Sequence, residues 1–303
     1  MSVQSLLSYA LAIPDLEAGR IFYGDFGLLP AERDGIIACR CDGRDQDQVL
    51  LVEGARKRLH HLRFGSDVAG LAAIRARLKQ HNVAEIDAPH PAFEGGLWFR
   101  DPDGHAVNIR AEAAKPWRPA QPFKLNNPGH YTRAGRGCPP RGSVRPHRLG
   151  HVLLHTPDPV RMMAFYSEVL GLRLTDRVPG IIAFMHLAGG GDHHVLALLK
   201  DERPGFHHAS FEVGSLDEIG LGAQAMLEAG YRDGWGLGRH VLGSNFFHYL
   251  RDPWNSLAEY FCDIDQIPGD GSWRAQDWGA EDSLYRWGPP LPRDFPANFE
   301  ERE

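Results

Sequence analysis

The sequence predicts an α+β protein of two tandem domains. Each is built from two paired βαβββ modules that curl a mixed sheet into a cup, with the helices outside. Three observations lead there: an internal repeat, alternating strand and helix periodicities inside each copy, and a Pro/Gly/Arg-rich break between the copies. The repeat is plainest in AIPDLEAGRIFYGDFG (12–27) and HTPDPVRMMAFYSEVLG (155–171). Aligning Pro14 with Pro157 brings Phe22-Tyr23 onto Phe165-Tyr166.

Each element has its own local reason. A short apolar strand precedes each of those segments. Asp15 and Asp158 are N-caps, and Gly27 and Gly171 are helix stops, so each segment reads as an amphipathic helix of about three turns. The match continues downstream. RLHHLRFG (58–65) resembles GFHHASFEV (205–213), and FRDPDGHAVNIR (99–110) resembles LRDPWNSLAEYF (250–261). Ser66 and Ser215 open second helices over 67–80 and 216–229, and Ser215-x-x-Glu218 is a capping box. The expected organisation is a metal-free N-terminal domain over 1–112, a linker over 113–146 and a catalytic, metal-binding C-terminal domain over 147–264. A tail over 265–303 carries Trp273, Trp278, Trp287 and the run Gly288-Pro289-Pro290-Leu291-Pro292. It is too aromatic to be left in solvent and is expected to pack on the C-terminal domain.

Composition narrows the function. The chain has 303 residues, 43% hydrophobic and 24% charged, a globular balance that excludes fibrous and disordered classes. The net charge of −6 without a basic stripe argues against nucleic acid as a partner. No apolar run is long enough for a membrane-spanning helix. The N-terminus has no basic n-region, so no signal peptide is expected. Cys39, Cys41, Cys138 and Cys262 form no CxxC pair, which suits a reduced, cytoplasmic protein.

The unusual number is sixteen histidines, ten of them between His147 and His248. Histidine is the commonest metal ligand and the usual acid–base group at neutral pH. On a strand, His151, Leu153 and His155 share one face. In GFHHASFEV, His207, Ala209, Phe211 and Val213 form an apolar face for the helices. His208, Ser210 and Glu212 form the opposite face, which makes His208 the inward ligand and His207 the structural histidine. Glu259 sits inside an apolar strand, where a carboxylate is costly unless it is paired or bound to metal. His151, His208 and Glu259 would form a facial triad suited to Fe(II), with Mn(II) a chemical near-equivalent. In the alignment Ser8 stands for His151 and Asn108 for Glu259, and only His61 matches His208. One half therefore looks chemical and the other architectural.

Each of these residues alone has an ordinary structural explanation, but together they carry a resemblance. The motifs GHVLLHTPD, FMHLAGGGDHHVLAL, GFHHASFEV and GLGRHVLGSNFFHYLRDPWNSLAEYF are similar to those of the type I extradiol catechol dioxygenases of the vicinal-oxygen-chelate superfamily. In the last motif a Tyr follows His240 by nine residues and a Glu follows that Tyr by ten. The resemblance implies that His151, His208 and Glu259 ligate iron, that His194 lies beside the oxygen site, and that His240 and Tyr249 form the pair that hydrogen-bonds the substrate. It further implies an extradiol ring-cleaving dioxygenase acting on a catechol-type substrate and O2, and a homo-oligomer. Two other readings use the same scaffold. A glyoxalase-like isomerase or lyase has no need of the His194, His240 and Tyr249 set. A small-aromatic binding protein needs the cup but no triad.

Overall fold

The computed structural model describes residues 2–116, 124–138, 142 and 144–300. Linker residues 117–123, 139–141 and 143, and tail residues 301–303, lie outside the described residues. The first half runs β1 (Ser5–Ile13), α1 (Leu16–Asp25), β2 (Leu29–Arg33), β3 (Ile36–Arg40), β4 (Asp47–Glu53), β5 (Arg58–Ser66), α2 (Val68–Gln80), β6 (Leu97–Arg100) and β7 (Ala106–Ala111). The second half opens with β8 (Arg148–Thr156), α3 (Pro159–Phe165), β9 (Arg173–Val178), β10 (Ile182–His186), β11 (Gly191–Asp192) and β12 (Leu196–Lys200). It continues with β13 (Gly205–Glu212), α4 (Leu216–Glu228), β14 (Asp233–His240), β15 (Phe246–Arg251) and β16 (Leu257–Cys262). The tail adds the short strands β17 (Gln266–Ile267), β18 (Gln276–Asp277) and β19 (Tyr285–Trp287).

The α+β class and mixed sheets are as expected, with one module reduced. After α2 only two strands follow, and the place of a third is held by a single bridge, Glu85 to Phe99. The intervening segment carries Pro89, Pro91, Gly95 and Gly96, which cannot sustain a ladder. Asp15 and Asp158 cap their helices, accepting from the Ala18 and Arg161 amides. The cap of α2 is Asp67, which accepts from the Gly70 amide, and not Ser66. A carboxylate there also meets the positive end of the helix dipole, while the Ser66 hydroxyl donates to the Ser2 carbonyl.

The sheets run β2-β3-β4-β1-β5-β7-β6 and β18-β9-β10-β12-β8-β13-β16-β15-β14-β19. Each is centred on an antiparallel pair, β1/β5 or β8/β13, flanked by parallel partners. Both central pairs carry two register shifts at matching places. Leu7 and His60 are the extra residues in one, Gly150 and His207 in the other. A bulge moves the side-chain alternation by one residue. Phe206 thus keeps the core face, its ring stacked 5.2 Å from Tyr9. His207, expected against the helices, is instead carried round to the cup side with His208.

One apolar core runs through both halves. Phe26 stacks on Tyr260 at 4.0 Å, and the Tyr260 hydroxyl donates to the Phe26 carbonyl. The first cup is filled by its own side chains, with Phe93, Trp98, Ile36, Leu50 and Val52 forming a separate cluster. Among the described residues no helix is long and apolar enough to cross a membrane. Gly150 is required by packing, since a Cβ there would lie 2.5 Å from two atoms of the Phe261 ring. Gly150→Ala is expected to lower stability by about 1–3 kcal/mol through overpacking. An unchanged urea midpoint would contradict that close approach.

Candidate metal centre

Three neighbouring strands, β8, β13 and β16, build the site. Their register sets His151, Ser210 and Glu259 side by side, with His208 two residues before Ser210. Ser210 is small, so the space between its flanking neighbours stays open. His151 Nε2 lies 3.3 Å and His208 Nε2 3.5 Å from Glu259 Oε2. One donor atom from each residue falls within 4.8 Å of the others. All three residues are buried, Glu259 completely. Burial pushes the His208 imidazole well below its ordinary value, which keeps it neutral. His208 Nε2 and Glu259 Oε2 have no hydrogen-bond partner. Leaving a carboxylate oxygen and an imidazole lone pair unmet in the interior is costly. Two imidazoles and a carboxylate beside a cavity fit a divalent transition metal such as Fe(II) or Mn(II).

The other expected residues surround this cluster. His194 lies with its ring 4.1 Å from that of His151, and burial drives its imidazole well below the ordinary value. Its Nδ1 is 3.1 Å from His193 Nδ1, and His193 Nε2 is 3.1 Å from Asp176 Oδ2. His240 Nε2 meets the Tyr249 hydroxyl at 2.9 Å, and its Nδ1 meets the Leu284 carbonyl at 2.8 Å. A carbonyl only accepts, so His240 Nδ1 carries the hydrogen. With its pKa lowered by burial the ring is neutral, and Tyr249 therefore donates to Nε2. Burial, with the Glu259 carboxylate near, raises the Tyr249 phenol well above its ordinary value.

A cavity of about 260 Å³ opens above the cluster. His151, His194, His208, His240, Asn245 and Tyr249 line it, and the fully buried Glu259 lies behind His151 and His208. Its far wall is aliphatic, from Val178, Ile181, Ile182 and Leu199, while the tail contributes Leu284, Leu291 and Phe295. Among the described residues no lysine or arginine lines it. Sequence reasoning missed Asn245, whose Nδ2 donates to Glu259 Oε1 at 3.3 Å. A lone amide ahead of the aromatic run of β15 was the available signal. His186 is bound to Thr175 and His248 to Asp233. His155 packs on His207, ring to ring at 5.1 Å.

The equivalent place in the first half is closed. Arg63 stands where Ser210 stands, between Ser8 and Asn108, and its Nε donates to Asn108 Oδ1 at 3.0 Å. His61, the counterpart of His208, is packed between Phe93 and Trp98.

A two-half cup with one histidine–carboxylate cluster defines a class of single-metal enzymes on paired βαβββ scaffolds. Residues 148–260 match the Glyoxalase/Bleomycin resistance protein/Dioxygenase superfamily. Metapyrocatechase 2 from Cupriavidus necator is 42% identical over 99% of this chain and 93% of its own length. An iron-dependent extradiol dioxygenase from Rhodococcus jostii is 33% identical over 75% of this chain and 74% of its own. The structure of the Mn(II)-bound glyoxalase from Novosphingobium aromaticivorans superposes with a TM-score of 0.78 at 23% identity, covering 99% of this chain and 98% of that one. That likeness shows the fold alone, whereas the sequence relationship carries further. The chain belongs to the extradiol dioxygenase family.

The buried histidines set an acid limit on stability. Burial holds His60, His155 and His186 down to about 4 and His207 to about 3, against an ordinary value of 6.5. Between pH 6.5 and about 4 the unfolded chain binds protons that the folded chain does not. Stability is therefore full above 6.5 and is lost as the pH falls through that window. The Tm of the metal-free protein is expected to drop by several degrees between pH 7.5 and 5, by scanning calorimetry. A constant Tm over that interval would show that these imidazoles are not held neutral.

Proposed function

We propose that this enzyme is an extradiol ring-cleaving dioxygenase that holds Fe(II), or Mn(II) in its place, with His151, His208 and Glu259, and inserts both atoms of O2 into a catechol. The observation that carries the reading is the convergence of His151, His208 and Glu259, with His208 Nε2 and Glu259 Oε2 buried and without a hydrogen-bond partner, beside a cavity that the two histidines line. A metal held by His151, His208 and Glu259 would take the two vicinal oxygens of the catechol as a chelate, lowering their pKa and supplying the path for ring electrons to O2.

The chain's own groups do the rest. Tyr249 and His240 form a hydrogen-bonded pair at the cavity wall, placed to orient a substrate hydroxyl and take its proton. The neutral His240 ring is the acceptor of that relay, and the Leu284 carbonyl fixes its orientation. His194, with its ring beside that of His151, is placed to stabilise negative charge developing on oxygen and to hold or return a proton. The tail residues Leu291 and Phe295 exclude water from above. The second-sphere set of His194, His240 and Tyr249 is what an isomerase or a simple binding protein on this scaffold would not require.

The lining also restricts the ring. A cavity of this size with one aliphatic wall and, among the described residues, no lysine or arginine suits one aromatic ring with a small uncharged substituent. A carboxylate-bearing catechol would leave its charge unpaired. Catechol and methylcatechols are expected to exceed carboxylated catechols in kcat/KM by at least about tenfold, measured by oxygen uptake, and equal values would refute the apolar-wall reading.

Glu259→Gln and His208→Ala are expected to lose iron on anaerobic reconstitution, and full iron content in either would remove the ligand assignment. His194→Phe should retain iron and bind catechol but turn over on the order of 10²-fold more slowly. Wild-type turnover in that variant would strip His194 of its role.

A further inference from the structure

The tail contributes more than a roof. It delivers two backbone carbonyls to two imidazoles of the site. His207 Nε2 lies 2.7 Å from the Phe295 carbonyl, and His240 Nδ1 lies 2.8 Å from the Leu284 carbonyl. His207 Nδ1 in turn lies 2.7 Å from His208 Nδ1. All three imidazoles are largely shut off from water, with His207 and His208 each 3% exposed.

We propose that the C-terminal tail is a positioning element that sets the tautomers of the site: the Phe295 carbonyl fixes His207 and, through it, His208, while the Leu284 carbonyl fixes His240. The argument is one of donors and acceptors. A carbonyl oxygen has no hydrogen to give, so His207 Nε2 must carry one. A buried neutral imidazole has only one, so His207 Nδ1 is left as an acceptor. The facing Nδ1 of His208 must then donate. That places the free lone pair of His208 on Nε2, the atom that faces Glu259 without a hydrogen-bond partner. Reversing any link in this chain would put a hydrogen on the nitrogen that a metal needs. The Leu284 carbonyl applies the same logic to His240, leaving Nε2 free to accept from Tyr249.

The bulge at His207 is what makes the relay available. Without the extra residue, His207 would point to the core and could reach neither Phe295 nor the Nδ1 of its neighbour. The first half keeps the same doublet, His60 Nδ1 at 2.8 Å from His61 Nδ1. There the doublet meets no triad, because Arg63 and Asn108 occupy that place. The doublet is therefore a feature of the scaffold, and the tail carbonyl turns it into a ligand-orienting device in one copy. Second-sphere partners of this kind fix ring orientation and tautomer at metal sites.

This inference rests on the reading of His208 as a ligand, so the test separates the two. The full-length metal-free protein, labelled with ¹⁵N-histidine, reports each tautomer by long-range ¹⁵N–¹H correlation at neutral pH. His207 is expected as Nε2–H, and His208 and His240 as Nδ1–H. Finding His207 as Nδ1–H or His208 as Nε2–H would overturn the proposal. Co(II) titration then gives an affinity. His207→Leu is expected to weaken Co(II) binding by about 10- to 100-fold and to split His208 between two tautomers. His207→Gln, whose amide both donates and accepts, should recover most of the affinity. A His207→Leu protein with unchanged Co(II) affinity and an undivided His208 signal would also overturn it. Wild-type protein with the stated tautomers but no Co(II) uptake would sink the ligand reading and leave the relay standing.

Discussion

Everything in the second half is arranged around a carboxylate that cannot be buried alone. Glu259 is fully enclosed, Asn245 Nδ2 donates to one oxygen, and the other oxygen faces two imidazole nitrogens without a hydrogen-bond partner. The neighbouring His208 is itself held neutral by burial, so it gives Glu259 little charge compensation. A divalent cation held there would resolve both deficits at once, balancing the carboxylate and taking up the lone pairs. The sheet register, the small Ser210 beside His151 and Glu259, and the two bulges are the means by which the backbone holds this cluster together.

The two halves show how little separates a site from a filler on one scaffold. Their central strand pairs share register, bulges and the histidine doublet. What differs is occupancy. Arg63 in place of Ser210 puts a guanidinium where the donors would converge, and Phe93 and Trp98 fill the space that the second half leaves as a cavity. The first half instead packs its core against the second, through Tyr9 on Phe206 and Phe26 on Tyr260. It buttresses the strands that carry His151, His208 and Glu259.

The repeat, the strand order within modules and the convergence of His151, His208 and Glu259 were legible because side-chain alternation and internal alignment are local and periodic. His207 was not, because a bulge breaks the alternation and nothing in GFHHASFEV marks which residue is the extra one. Asp67 displaced Ser66 as a cap because either residue type can start a helix, and only the backbone decides which amide is in reach. The tail's detailed role was hidden for a different reason. Its contacts at Leu284, Phe295 and Pro289 are made by backbone carbonyls, which every residue possesses and no sequence pattern announces.

The most direct measurement is anomalous diffraction from crystals grown anaerobically with Fe(II), collected on both sides of the iron edge. A single peak is expected among His151 Nε2, His208 Nε2 and a Glu259 oxygen, beside the cavity and at ordinary iron–ligand distances. A peak elsewhere in the molecule, or full occupancy with one of those three side chains turned away, would contradict the metal centre and with it the ring-cleaving chemistry.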